Sequence, residues 1–87
     1  MKEAIRVLLV GDNEATREEL SQMLNRKEGI TVVGTAGSGE EALAVAKKLS
    51  PSVVLMLPDI RIPGMNVIDT ARAITEAQLP ARVIIIT

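Results

Sequence analysis

Four short apolar runs alternate along this chain with three longer stretches of helical apolar spacing, and that alternation limits the fold more than any other feature. Ile5-Arg6-Val7-Leu8-Leu9-Val10 is aliphatic and β-branched, is closed by Gly11, and has the continuous apolar character of a strand covered on both faces. Ile30 to Gly34, Ser52 to Leu57 and Arg82 to Ile86 are runs of the same kind. Strands separated by helices and joined by short connections predict a doubly wound α/β domain. Its sheet is parallel, its crossovers are right-handed and helices lie on both faces.

The helices announce themselves by their ends. Asp12 and Asn13 are both good N-caps, and from Glu14 to Lys27 the residues Thr16, Leu20, Met23 and Leu24 form an expected inner face that ends near Gly29. Ser38 with Glu41 three residues on is a capping-box signature, predicting a second helix with Ala42, Leu43, Val45, Ala46 and Leu49 inward. Ser50-Pro51 ends it, because a residue before proline is pushed out of helical geometry. Asn66 is placed to cap a third helix, with Val67, Ile68, Ala71 and Ile74 inward, that fades near Gln78 before Pro80.

Composition then removes whole classes of function. With 87 residues the chain is one domain at most, of a size that buries about 60 to 65% of its unfolded surface. There is no cysteine and no histidine, which excludes disulfides, thiolate catalysis, cysteine or histidine metal sites and a phosphohistidine relay within the chain. Ten basic and 11 acidic residues, net charge −1, leave no electrostatic footprint for nucleic acid, and the lack of any aromatic residue removes base-stacking platforms. Neither a signal-peptide pattern nor a membrane-length apolar stretch is present, so the expectation is a cytoplasmic protein without membrane or direct nucleic-acid contact. Gly34-Thr35-Ala36-Gly37-Ser38-Gly39 has phosphate-loop glycines, but Glu40 stands where a Walker lysine is needed, and a turn that leads into the Ser38 cap accounts for it.

Ligands of open parallel sheets bind beyond the carboxyl ends of the strands, which directs attention to Gly11 to Asn13, to Asp59 and to Thr87. Across nearly its whole length the chain resembles the receiver domain of two-component response regulators, a flavodoxin-like family. The resemblance rests on Val7-Leu8-Leu9-Val10-Gly11-Asp12-Asn13-Glu14, on Gly39-Glu40-Glu41-Ala42-Leu43, on Val53-Val54-Leu55-Met56 followed by Asp59-Ile60-Arg61-Ile62-Pro63-Gly64-Met65-Asn66, and on Val83-Ile84-Ile85-Ile86-Thr87. It implies a strand order of 2-1-3-4 for the part present, and a phosphoryl group received on an aspartate from a histidine kinase. By position, Asp59 is the phosphoacceptor and Asp12, Asp59 and the backbone carbonyl of Arg61 are the implied Mg²⁺ ligands. Thr87 is the implied phosphate-binding switch hydroxyl. Hard oxygen donors around a hard cation suit that chemistry.

The sequence departs from the family at three places. Gly11 stands where the first acid of the site belongs. Counted from Pro51, the acceptor position falls on Leu57, and Leu57-Pro58 reads as an insertion that displaces Asp59 by two residues, about 6.6 Å along an extended strand. A bulge at Pro58 is the way for Asp59 to return. The chain as given, residues 1–87, also lacks the fourth helix, fifth strand and fifth helix of the family, which leaves the fourth strand as an uncharged edge suited to homodimerisation or pairing with another chain.

Each candidate also has a plainer reading. Asp12 serves equally as helix punctuation, Asp59 as a solvated loop acid and Thr87 as a strand end, while the methionines are core filler. Two functions therefore stand open: a phosphoacceptor receiver partnered by a histidine kinase, and a degenerate receiver that acts as an interaction or dimerisation domain without phosphorylation. No nucleophile and base pair points to a conventional enzyme, and self-phosphorylation with Mg²⁺ is the most chemistry expected.

Overall fold

A computed structural model describes residues 4–57 and 67–86. Four strands and three helices alternate: β1 (Ile5–Val10), α1 (Glu14–Asn25), β2 (Ile30–Ala36), α2 (Gly39–Leu49), β3 (Val53–Met56), α3 (Val67–Glu76) and β4 (Arg82–Ile85). All described pairings are parallel and the order is β2-β1-β3-β4, as the alternation and the resemblance predicted. From β1 the chain moves outward to β2, then returns over β1 to β3 and continues to β4. Right-handed crossovers therefore put α1 on one face and α2 with α3 on the other, and the reversal falls between β1 and β3.

The core follows from strand alternation. Leu8 and Val10 of β1, Ala36 of β2, and Val54 and Met56 of β3 pack with Ala42 and Ala46 of α2 and Ile74 of α3 on one face. Val7 and Leu9 point to the other face and are buried as well, the double-sided burial expected of a central parallel strand. Small alanines on α2 let that helix sit close to the sheet, and Gly34 extends the close approach: a Cβ there would lie 2.9 Å from Leu49 Cδ1 and 3.4 Å from Val45 Cγ1. Gly34 also marks a shift of register, since Val7 pairs with Val32 but Leu8 pairs with Gly34, leaving Val33 as an extra residue.

Several expectations are corrected. Met23 and Ile68, expected on inner faces, are 55% and 58% exposed, whereas Thr70 is fully buried on α3. The first helix stops at Asn25 rather than Lys27. The second strand continues two residues past Gly34, so Gly34 to Ala36 is sheet and not phosphate-loop backbone. Ser38 caps α2 through its side-chain oxygen on the Glu41 amide at 3.1 Å, but the Glu41 carboxylate accepts from Gly37 N at 2.6 Å, one residue before the cap. The fourth run is not a buried strand: Ile84, Ile85 and Ile86 are 48%, 36% and 40% exposed, because β4 is an edge of the described sheet.

Candidate functional site

The carboxyl edge of the sheet is set by hydrogen bonds that continue one residue past the strands. Gly11 N donates to Ala36 O at 3.0 Å, Leu57 N to Val10 O at 2.9 Å and Ile86 N to Met56 O at 2.9 Å. Val10 pairs with Met56 and Met56 with Ile85, so the next layer consists of Gly11, Leu57 and Ile86 on three adjacent strands. No side chain in that layer carries an oxygen. β3 runs in register from Val53 to Met56 and Leu57 keeps its ladder bond, so no bulge interrupts the described part of this strand.

Gly11 and Leu57 are packed together tightly. Leu57 is 2% exposed, and a Cβ built on Gly11 would meet its Cδ1 at 2.6 Å, its Cγ at 3.3 Å and its Cβ at 3.4 Å. The leucine thus occupies the volume that any side chain at position 11 would need. In this register Leu57, the residue on which the count from Pro51 falls, lies beside Gly11 at the switch point.

Asp12 follows Gly11 and is exposed, one residue beyond the apolar layer. It does not cap α1: Asn13 does, its side-chain oxygen accepting from Thr16 N at 3.1 Å. Asp12 is thereby left exposed to solvent beyond the end of β1. Arg17, half-buried one turn into α1, fixes the backbone before it by donating from its guanidinium to Gly11 O and to Asp12 O. Nothing in the sequence singled out Arg17, because an arginine on the polar side of a helix carries no motif of its own. A surface cleft of about 320 Å³ lies beside Arg17, lined also by Glu14, Glu18, Ser21, Gln22 and Thr35.

Of the other predicted site residues, Asp59, Arg61 and Thr87 lie outside the described residues, as do Pro58 and Asn66. Among the described residues, Asp12 is the one implied Mg²⁺ ligand present, and no group of three or more His, Cys, Asp or Glu side chains comes together. Gly11 offers no carboxylate, and Leu57 fills the space where a side chain at position 11 would begin. The described end of the sheet does not fit a divalent ion held by paired acids. No described helix is long and apolar enough to cross a membrane.

Comparison with known proteins agrees with the fold. Residues 7–87 match the sequence model of the response regulator receiver domain. The response regulator GacA of Pseudomonas aeruginosa is 37% identical over 83 residues, covering 95% of this chain and 38% of that protein. Among solved structures, the signal receiver domain of the putative response regulator NarL from Mycobacterium tuberculosis superposes with a TM-score of 0.86 at 34% identity. It covers 95% of this chain and 65% of its own. The response regulator domain of Thermotoga maritima CheB gives 0.85 at 35% identity, with 95% and 60% covered. The chain spans well under half the length of the curated relative.

Proposed function

We propose that this chain, which belongs to the response regulator receiver domain family, is the signal-receiving module of a larger regulator and takes phosphoryl on Asp59 from the phosphohistidine of a partner kinase. One observation supports the placement of the site. Exposed Asp12 stands at the switch point between β1 and β3, and β3 runs directly on through Leu57 toward the segment that carries Asp59. In the transfer, a carboxylate oxygen of Asp59 attacks phosphorus, the P–N bond to the kinase imidazole breaks, and the ring leaves with the bonding pair. The added charge would recruit cationic or hydroxyl groups, which is how such a modification moves a loop. Thr87 is the hydroxyl assigned to that role by position.

In the family Mg²⁺ neutralises charge on the transferring group; of the implied ligands the described residues include Asp12 alone, beside a layer that does not fit an ion held by paired acids. A second reading, signalling by protein contact without phosphorylation, is favoured by the Leu57 side chain on Gly11. Intact mass of the full-length regulator after incubation with acetyl phosphate, wild type beside Asp59→Asn, separates the two. Addition of one HPO₃ in the wild type alone supports Asp59 as acceptor. An unmodified wild type of proven fold, with Asp59→Asn retaining its output, assigns the chain to the second reading.

A further inference from the structure

We propose that Gly11 and Leu57 are a matched pair, an apolar lock in which Leu57 fills the space at position 11 and closes the described end of the sheet to divalent cations. The proposal deepens the receiver reading and rests on it only for identifying this crevice as the switch site. Three features of the structure carry it. The space at position 11 is already filled, with Leu57 Cδ1 2.6 Å from where a Cβ would lie. Leu57 is buried, 2% exposed, and its amide donates to Val10 O at 2.9 Å, which holds its backbone beside Gly11. The third residue of the same layer, Ile86, is also aliphatic. A leucine here is possible because residue 11 is glycine, and glycine is required because residue 57 is leucine.

The lock changes how the site can respond. Mg²⁺ requires oxygen donors at about 2.0 to 2.1 Å and gives up its waters reluctantly. The Gly11, Leu57 and Ile86 layer provides none, and Asp12 alone is a single exposed carboxylate. Ligation by this edge is therefore too weak to order it. A signal read here arrives as displacement of Leu57 from Gly11, a packing change, rather than as neutralisation of an acidic cluster. Interiors packed this closely shift between discrete arrangements rather than deform continuously.

The test is a pair of cycles in the full-length protein. In the first, Gly11→Ala, Leu57→Ala and the double variant are unfolded in urea. Gly11→Ala alone should lower the folding equilibrium constant about ten- to hundredfold, the range for forcing a methyl into filled space. In the Leu57→Ala background the same change should alter it less than about threefold, and the difference is the coupling. In the second, calorimetric titration with Mg²⁺ compares wild type with Gly11→Asp, Leu57→Asp and the double. Saturable binding should appear in the double variant and in neither wild type nor Gly11→Asp. Equal effects of Gly11→Ala in both backgrounds, or Mg²⁺ binding by wild type as tight as by the double variant, would overturn the lock. Should the aspartate double not fold, the alanine cycle decides alone. Loss of the Asp59 adduct in the mass experiment leaves both cycles unchanged, so the two readings fail separately.

Discussion

Arg6→Ala should loosen the far end of α2 without touching the switch site. Arg6 lies on β1, and its guanidinium donates from Nη1 to Ser50 O at 2.9 Å and from Nη2 to Leu49 O at 2.7 Å. Those carbonyls belong to the last turn of α2, where intrahelical partners run out, and the positive charge also opposes the negative end of the helix dipole. A charge-assisted bond is worth about 1.5 to 3 kcal/mol when sheltered. Here the groups are exposed, and water and salt reclaim most of that. Two discounted bonds and a dipole contribution of about 0.3 to 1 kcal/mol sum to roughly 1 to 1.5 kcal/mol. For a domain of this length each kcal/mol lowers the melting midpoint by about 4 to 8 °C. Far-UV circular dichroism is the suitable probe, since the chain has no Trp or Tyr. Arg6→Lys keeps the charge but not the two-pronged fork, and should recover about half of the loss. Equal stability of the Lys variant and wild type, or an Ala variant within about 0.3 kcal/mol of wild type, would refute the assignment of two bonds to the fork.

Other substitutions probe the packing that holds the strands in place. Ile74→Ala empties a fully buried position between α2 and β3 and should cost about 2 to 5 kcal/mol in urea unfolding, much of the stability of a small domain. Gly34→Ala sets a methyl against Leu49 Cδ1 at 2.9 Å and should destabilise by about 1 to 3 kcal/mol, with partial recovery when Leu49→Ala is added. Ser38→Ala removes the cap on Glu41 N and should cost about 1 kcal/mol, visible as faster amide exchange in the first turn of α2.

The sheet was legible in the sequence because parallel strands covered on both faces are continuous apolar runs, and because Gly11, Ser38 and Pro51 punctuate the elements chemically. Side-chain facing was less so. On α3 the apolar stripe includes Ile68, yet among the described positions the fully buried ones are Thr70 and Ile74, one turn apart, and hydrophobicity alone cannot choose a threonine over an isoleucine. On β4 the four consecutive aliphatics have the local pattern of an interior strand, and it was the strand order implied by the resemblance, not that pattern, that made it an edge of the part present. At the site, Gly11 and Leu57 each stood out as a departure from the family pattern. That one fills the space of the other depends on the register of β1 against β3, a long-range relation that no local motif encodes. Arg17 reaches back only six residues to Gly11 O, but an arginine one turn into a helix carries no motif that marks that contact.

The central claim is the contact between Leu57 and Gly11, and nuclear Overhauser measurement with methyl-labelled leucine in the full-length protein observes it most directly. The account predicts strong cross-peaks from a Leu57 methyl to the Gly11 α-protons, unchanged in position and intensity when Mg²⁺ is added. Absence of those cross-peaks, with Gly11 resonances that shift on Mg²⁺ titration, would contradict it.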